Sequence, residues 1–211
     1  MTNAAFSDDE ATAQRAEKVI EHLASTLDLM SAKGSVQVHP GKGRVFAAAY
    51  GWWAFITRSS QAVLTLRRAG LEHEASPIVR AILQHGLVLQ WLVDIGDSAV
   101  DAVKVYGDDN VRLLLKTMQD ADWPAVPGLN LDAPPRPATP NPLVTKLKNF
   151  EELCVAYNAL QLYVPFRLMS AYVHLTSVGS RAYFDERSGE LAARATGTAE
   201  GRRGRDPTPR T

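Results

Sequence analysis

The apolar residues of this chain recur three and four positions apart over long stretches, and no segment alternates in the manner of a strand, which restricts the fold to helices. Ala16, Val19, Ile20, Leu23, Leu27 and Met30 mark an amphipathic first helix ending near Ser31. Ahead of it, Ser7-Asp-Asp-Glu10 has the form of a capping box, with Ser7 as the cap and Glu10 reaching back. Glycines and Pro40 punctuate residues 33–43 as a loop. A second helix is expected over Arg44–Ala69, stopped by Gly70. A third begins near Leu71 or at Ser76-Pro77, an N-cap followed by proline in the first helical position. It runs to Val93 and is apolar nearly all round, so it is expected at the centre of a bundle. Gly96-Asp97-Ser98 breaks it, and a fourth helix follows from about Ala99 to Ala121, with Gly107–Asn110 as a point of interruption.

Residues 122–142 hold seven prolines, a density no regular element survives, and read as a surface loop. Helix resumes near Leu143 and continues to about Tyr163. Pro165 then kinks it or starts a further segment running to about Leu175. Periodicity ends after Phe184, and residues 188–211 read as a disordered basic tail. The expected fold is therefore all-α: a single bundle of about five or six helices over residues 1–187, with a Pro-rich loop at 122–142. The same abrupt change of composition is what a C terminus truncated or altered in frame would show. A missing helix would then leave an apolar groove exposed.

Lys+Arg and Asp+Glu number 23 each, so no global field draws the chain to nucleic acid or an anionic membrane. The balance hides a segregation: residues 1–30 carry net −4 and residues 31–70 net +6, suited to pairing of the first two helices. The single cysteine, Cys154, excludes an intramolecular disulfide and a multi-cysteine zinc site, and its apolar neighbours predict burial. The acidic first ten residues lack the apolar core of a secretory signal, and the longest uncharged apolar runs, Val45–Thr57 and Ala81–Val93, fall short of a span. A cytoplasmic protein with no membrane partner is the expectation.

Gly41-Lys-Gly43 lacks the spacing of a phosphate-binding loop, which excludes that class of NTPase. No Glu-x-x-His pair supports a di-iron bundle, and Glu72-His73-Glu74 are sequence neighbours that diverge on a helix, so neither metal nor cofactor is expected. Adjacent Trp52 and Trp53 point about 100° apart on a helix, so one can enter the core while the other covers a second helix or a partner. Two Arg–His pairs remain. Arg167 and His174, seven apart, share one helical face with Ser170 between them and could close around a phosphodiester. Histidine can move the proton of a 2′-hydroxyl while arginine stabilises charge at phosphorus. Arg80 and His85, five apart, diverge by about 140° and read as polar groups bonded within a helix interface.

Arg80-Ala-Ile-Leu-Gln-His85 and Arg167-Leu-Met-Ser-Ala-Tyr-Val-His174 resemble the Arg-x4–6-His motif of HEPN domains, helical proteins of toxin–antitoxin, abortive-infection and RNA-processing systems. Across residues 45–180 the chain also looks like an actinobacterial-type family of all-helical proteins with HEPN-like features. The residue directly after the arginine, often Asn in HEPN nucleases, is Ala81 and Leu168 here. The resemblance implies a helical bundle, often dimeric, with a composite site where the motif helices meet. Two readings follow. One is a non-catalytic binding or scaffold protein, homodimeric, of a bacterial defence or stress system. The other is a metal-independent ribonuclease, with RNA as substrate, Arg167 on phosphate, His174 as general acid–base, and Arg80 and His85 as a second pair or a support.

Overall fold

The computed structural model describes residues 10–124, 135, 140–174, 183–187 and 190–193. Among these residues seven α-helices follow one another: α1 (Glu10–Ala32), α2 (Gly43–Arg68), α3 (Ser76–Ile95), α4 (Asp97–Asp120), α5 (Pro142–Lys148), α6 (Phe150–Ala156) and α7 (Tyr163–Val173). The fold class is all-α, as the periodicity requires. A short antiparallel hairpin, β1 (Phe184–Arg187) and β2 (Glu190–Ala193), pairs Phe184 with Ala193 and Arg187 with Glu190. It was not expected. Of the segment read as a disordered tail, Glu190–Ala193 forms β2, while residues 188–189 and 194–211 lie outside the described residues, as do the Ser7 cap and most of the Pro-rich loop.

The stop signals act through identifiable bonds. At the end of α2 the Gly70 N–H donates to Arg67 O (3.0 Å) and the Leu71 N–H to Leu66 O (2.8 Å), with Gly70 at φ 73°. This pair of bonds closes the last turn and requires a left-handed residue between them. Gly96 alone joins α3 to α4, at φ 78° and ψ −140°, a conformation closed to residues with a Cβ. Helix α4 continues through Gly107–Asn110 without interruption. The single helix expected over 143–163 is divided at Asn149, which is at once the C-cap of α5 and the N-cap of α6. Its Oδ1 accepts from the Glu152 N–H (3.4 Å) and its Nδ2 donates to Glu152 Oε1 (2.7 Å), which accounts for the higher helix count. Pro165 sits in the first turn of α7, where its missing N–H costs no bond.

The helices divide between two compact units. Among the described residues, the first unit takes α1, α2 from Trp53, α3 up to His85, α7 from Val164, and the hairpin. Its buried residues are Ala24 and Leu27 of α1, Thr57 and Leu64 of α2, Ala75 and Ser76 at the start of α3, and Phe166 of α7. The charge segregation appears here as one exposed ion pair, Arg68 to Glu21 at 3.5 Å, worth about 0–1 kcal/mol at most.

The second unit takes α2 up to Trp52, α3 from Gly86, and α4 to α6. Leu87, Val88, Trp91 and Leu92 form one buried face of α3. Ala99 and Ala102 of α4 are fully buried, and α5 and α6 contribute Val144, Leu147, Phe150, Leu153 and Cys154. Burial raises the Cys154 thiol above its ordinary pKa, so the sulfur is a packing group, as its neighbours predicted. The Tyr157 hydroxyl donates to Asp94 Oδ2 (2.8 Å), tying the end of α6 to α3. The face of α3 is less uniformly covered than its composition suggested: Val93 and Ile95 are exposed. Among the described residues α3 is also the one helix long and apolar enough, by length and composition only, to cross a membrane. The uncharged runs taken singly are shorter than a span, but a helix that includes Arg80 passes that test.

Candidate functional site

The first unit holds all four Arg–His candidates, and its architecture separates them in an unexpected way. Arg80, half-buried in the second turn of α3, turns to α7. Its Nε donates to Ser170 Oγ at 2.8 Å, and its guanidinium lies over the Phe166 ring, 4.6 Å from the centroid. Ser170 Oγ in turn donates to Phe166 O at 2.7 Å. Phe166 and Ser170 are one turn apart on α7, so the arginine grips that helix through one bond and one stacked face. The serine expected to sit between Arg167 and His174 is thus committed to Arg80.

His85 faces elsewhere. Its Nδ1 lies 2.8 Å from Ala81 O, and because a carbonyl only accepts, that nitrogen carries the hydrogen. The ring packs on Phe55 with centroids 4.6 Å apart. The five-residue spacing separates Arg80 from His85: Arg80 bonds across to α7, while the hydrogen bond of His85 stays within α3. Arg167 is exposed on α7 and has interactions of its own. His174 is exposed one residue past the helix end, where its N–H still donates to Ser170 O (3.1 Å), so helical spacing holds up to it.

Of the cations that could extend a phosphate site, Arg58 is exposed in the first unit. Arg44 belongs to the second unit and pairs with Asp101, whose hydrogen bond raises its pKa. Trp52 and Trp53 are both half-buried and fall in different units.

His73 and Glu74, which the sequence offers only as diverging neighbours, enter a second polar cluster with Tyr172 and Tyr183. The His73 ring meets Tyr172 edge-on at 4.6 Å and Tyr183 at 5.2 Å. The Tyr183 hydroxyl donates to Glu74 Oε1 at 2.7 Å, holding the carboxyl below its ordinary range and raising the phenol. Glu74 Oε2 is buried and accepts from no donor among the described residues. Tyr183 is 109 residues from Glu74, a pairing no local pattern announces. Among the described residues no group of three or more His, Cys, Asp or Glu is placed to hold a metal ion.

Compared with family models, with curated proteins and with solved structures, the chain matches none of them.

Proposed function

We propose that this chain is a non-catalytic helical binding or scaffold protein that acts as a homodimer, in the bacterial defence or stress setting its HEPN-like motifs imply. One observation carries the reading: Arg80 is engaged by α7 through Ser170 and Phe166. A phosphate-binding arginine presents its planar fork to the ligand. Here the Nε and one face of the guanidinium serve to join two helices, and His85 is bonded within its own helix. Exposed Val164 and Leu168 on α7 offer apolar surface of the kind a protein partner covers.

The ribonuclease reading has one observation of its own, the exposure of both Arg167 and His174 with helical spacing kept between them. One experiment separates the two. Wild type, Arg167→Ala and His174→Ala are incubated with mixed-sequence single-stranded RNA in EDTA, and the mass of each is measured by light scattering. A dimer with no cleavage supports the scaffold. Cleavage that both substitutions abolish, with helical circular dichroism unchanged, overturns it in favour of the nuclease.

A further inference from the structure

Helix α2 carries no acidic residue from Gly43 to Arg68, and residues 31–70 as a whole are net +6. Pairing with the acidic α1 absorbs little of that charge. In the first unit Arg68 reaches Glu21, while Arg58 is exposed with no ion pair or hydrogen bond among the described residues. Within that unit the exposed residues of α2 are Phe55, Arg58, Gln61, Ala62, Thr65 and Arg68. At 100° per residue they share one face, an arc of about 140°. Phe55, Arg58, Ala62 and Thr65 recur at alternating intervals of three and four, the spacing at which one helix presents a seam to another. Phe55 is a knob backed by the His85 ring at 4.6 Å. Ala62 and Thr65 are short enough to let a second helix come close, and Arg58 and Arg68 stand about 15 Å apart along the axis.

We propose that this face of α2 docks a helix of a partner protein whose narrow apolar stripe is flanked by acidic residues. Charge complementarity decides the occupant. The same face of a second copy would bring arginine against arginine, with no acid on either helix. RNA asks for more cations: its binding rests on about 6–10 phosphate contacts, whereas this face offers two arginines, one of them already on Glu21. An acidic helix needs only a carboxylate near each arginine and small apolar residues against Phe55, Ala62 and Thr65. The proposal rests on the reading of the chain as a binding protein and gives it a class of partner.

Fluorescence anisotropy on the full chain tests the proposal with three labelled probes: a peptide of three heptads of Glu-Ile-Ala-Ala-Leu-Glu-Gln, its counterpart with lysine for each glutamate, and mixed-sequence single-stranded RNA. The acidic peptide should bind, and less tightly as salt is raised. Arg58→Glu and Phe55→Ala should each weaken it by about fivefold or more, with helical circular dichroism unchanged. Lys33→Glu makes the same change of charge just past α1 and should leave binding unaltered. No binding of the acidic peptide overturns the proposal, as does an equal loss in Lys33→Glu, which would report a diffuse field. Tighter binding of the lysine peptide or of RNA overturns it too. RNA cleavage and light scattering judge the scaffold reading on their own, so the two can fail separately.

Discussion

Thr57 is 1 % exposed in the first unit, and its Oγ1 is buried with no hydrogen-bond partner among the described residues. Replacing it by valine keeps the β-branched shape while exchanging the hydroxyl for a methyl. An unsatisfied buried hydroxyl costs about 1–3 kcal/mol, and an added buried methyl contributes about 0.8 kcal/mol. Allowing for the slightly larger group in a packed site, Thr57→Val should stabilise the protein by about 2 kcal/mol. For a chain of 211 residues that is a rise in Tm of roughly 4–8 °C. Thr57→Ser, which keeps the hydroxyl and deletes the methyl, should lower stability. Both changes are read from thermal unfolding by circular dichroism, with urea titration to confirm an unchanged m value. A valine variant less stable than wild type by 1 kcal/mol or more, as an order of magnitude, would refute the reasoning, since it would mean the hydroxyl has a partner whose loss outweighs the methyl.

Two further outcomes follow from the contacts described. Arg80→Ala should cost about 2 kcal/mol in urea unfolding, from a charged hydrogen bond and a stacked face lost together, and Arg80→Lys should recover less than half, because a point ammonium cannot do both. Equal stability of the lysine variant and wild type would show that charge alone matters there. Burial, and then Asp94, push Tyr157 from 10.0 up to about 12, so the folded chain holds this proton more tightly than the unfolded chain. The contribution is complete below the unfolded value and is lost as pH rises through the folded one. Stability should therefore decline between about pH 10 and about pH 12, and Tyr157→Phe should flatten that decline while costing about 1 kcal/mol near neutrality. An unaltered slope in the variant would assign the decline to other groups.

The helices were legible wherever a residue enforces a conformation. Gly70 and Gly96 each mark a boundary, because a left-handed turn or a one-residue link admits few alternatives, and α3 begins at Ser76, one of the two starts the sequence offers. Asn149-Phe-Glu-Glu152 carries the same polar-x-x-Glu signature as Ser7–Glu10, but the apolar periodicity that continues on both sides masks the break. The hairpin left no trace, since neither Phe184–Arg187 nor Glu190–Ala193 alternates clearly in polarity. For the candidate site, local geometry predicted what lies on one helix: the divergence of Arg80 from His85, and the helical register from Ser170 to His174. What it could not supply is the partner of Arg80, which stands 90 residues away on α7.

That separation has a consequence for the chain as it is made. The first unit draws on three separate stretches of sequence, and its last helix, α7, emerges well after α1, α2 and the start of α3. With 90 residues between Arg80 and Ser170, a ribosome adding about 5–20 residues per second leaves the early helices without α7 for roughly 5–18 s. During that interval the seat of Phe166 is open and the Arg80 guanidinium has no helix to hold. The second unit draws on two stretches, 38–52 and 86–163, both made before residue 164, and can close first. The nascent chain thus completes its interior segment before its outer one, and the early helices are the part a chaperone would need to shield.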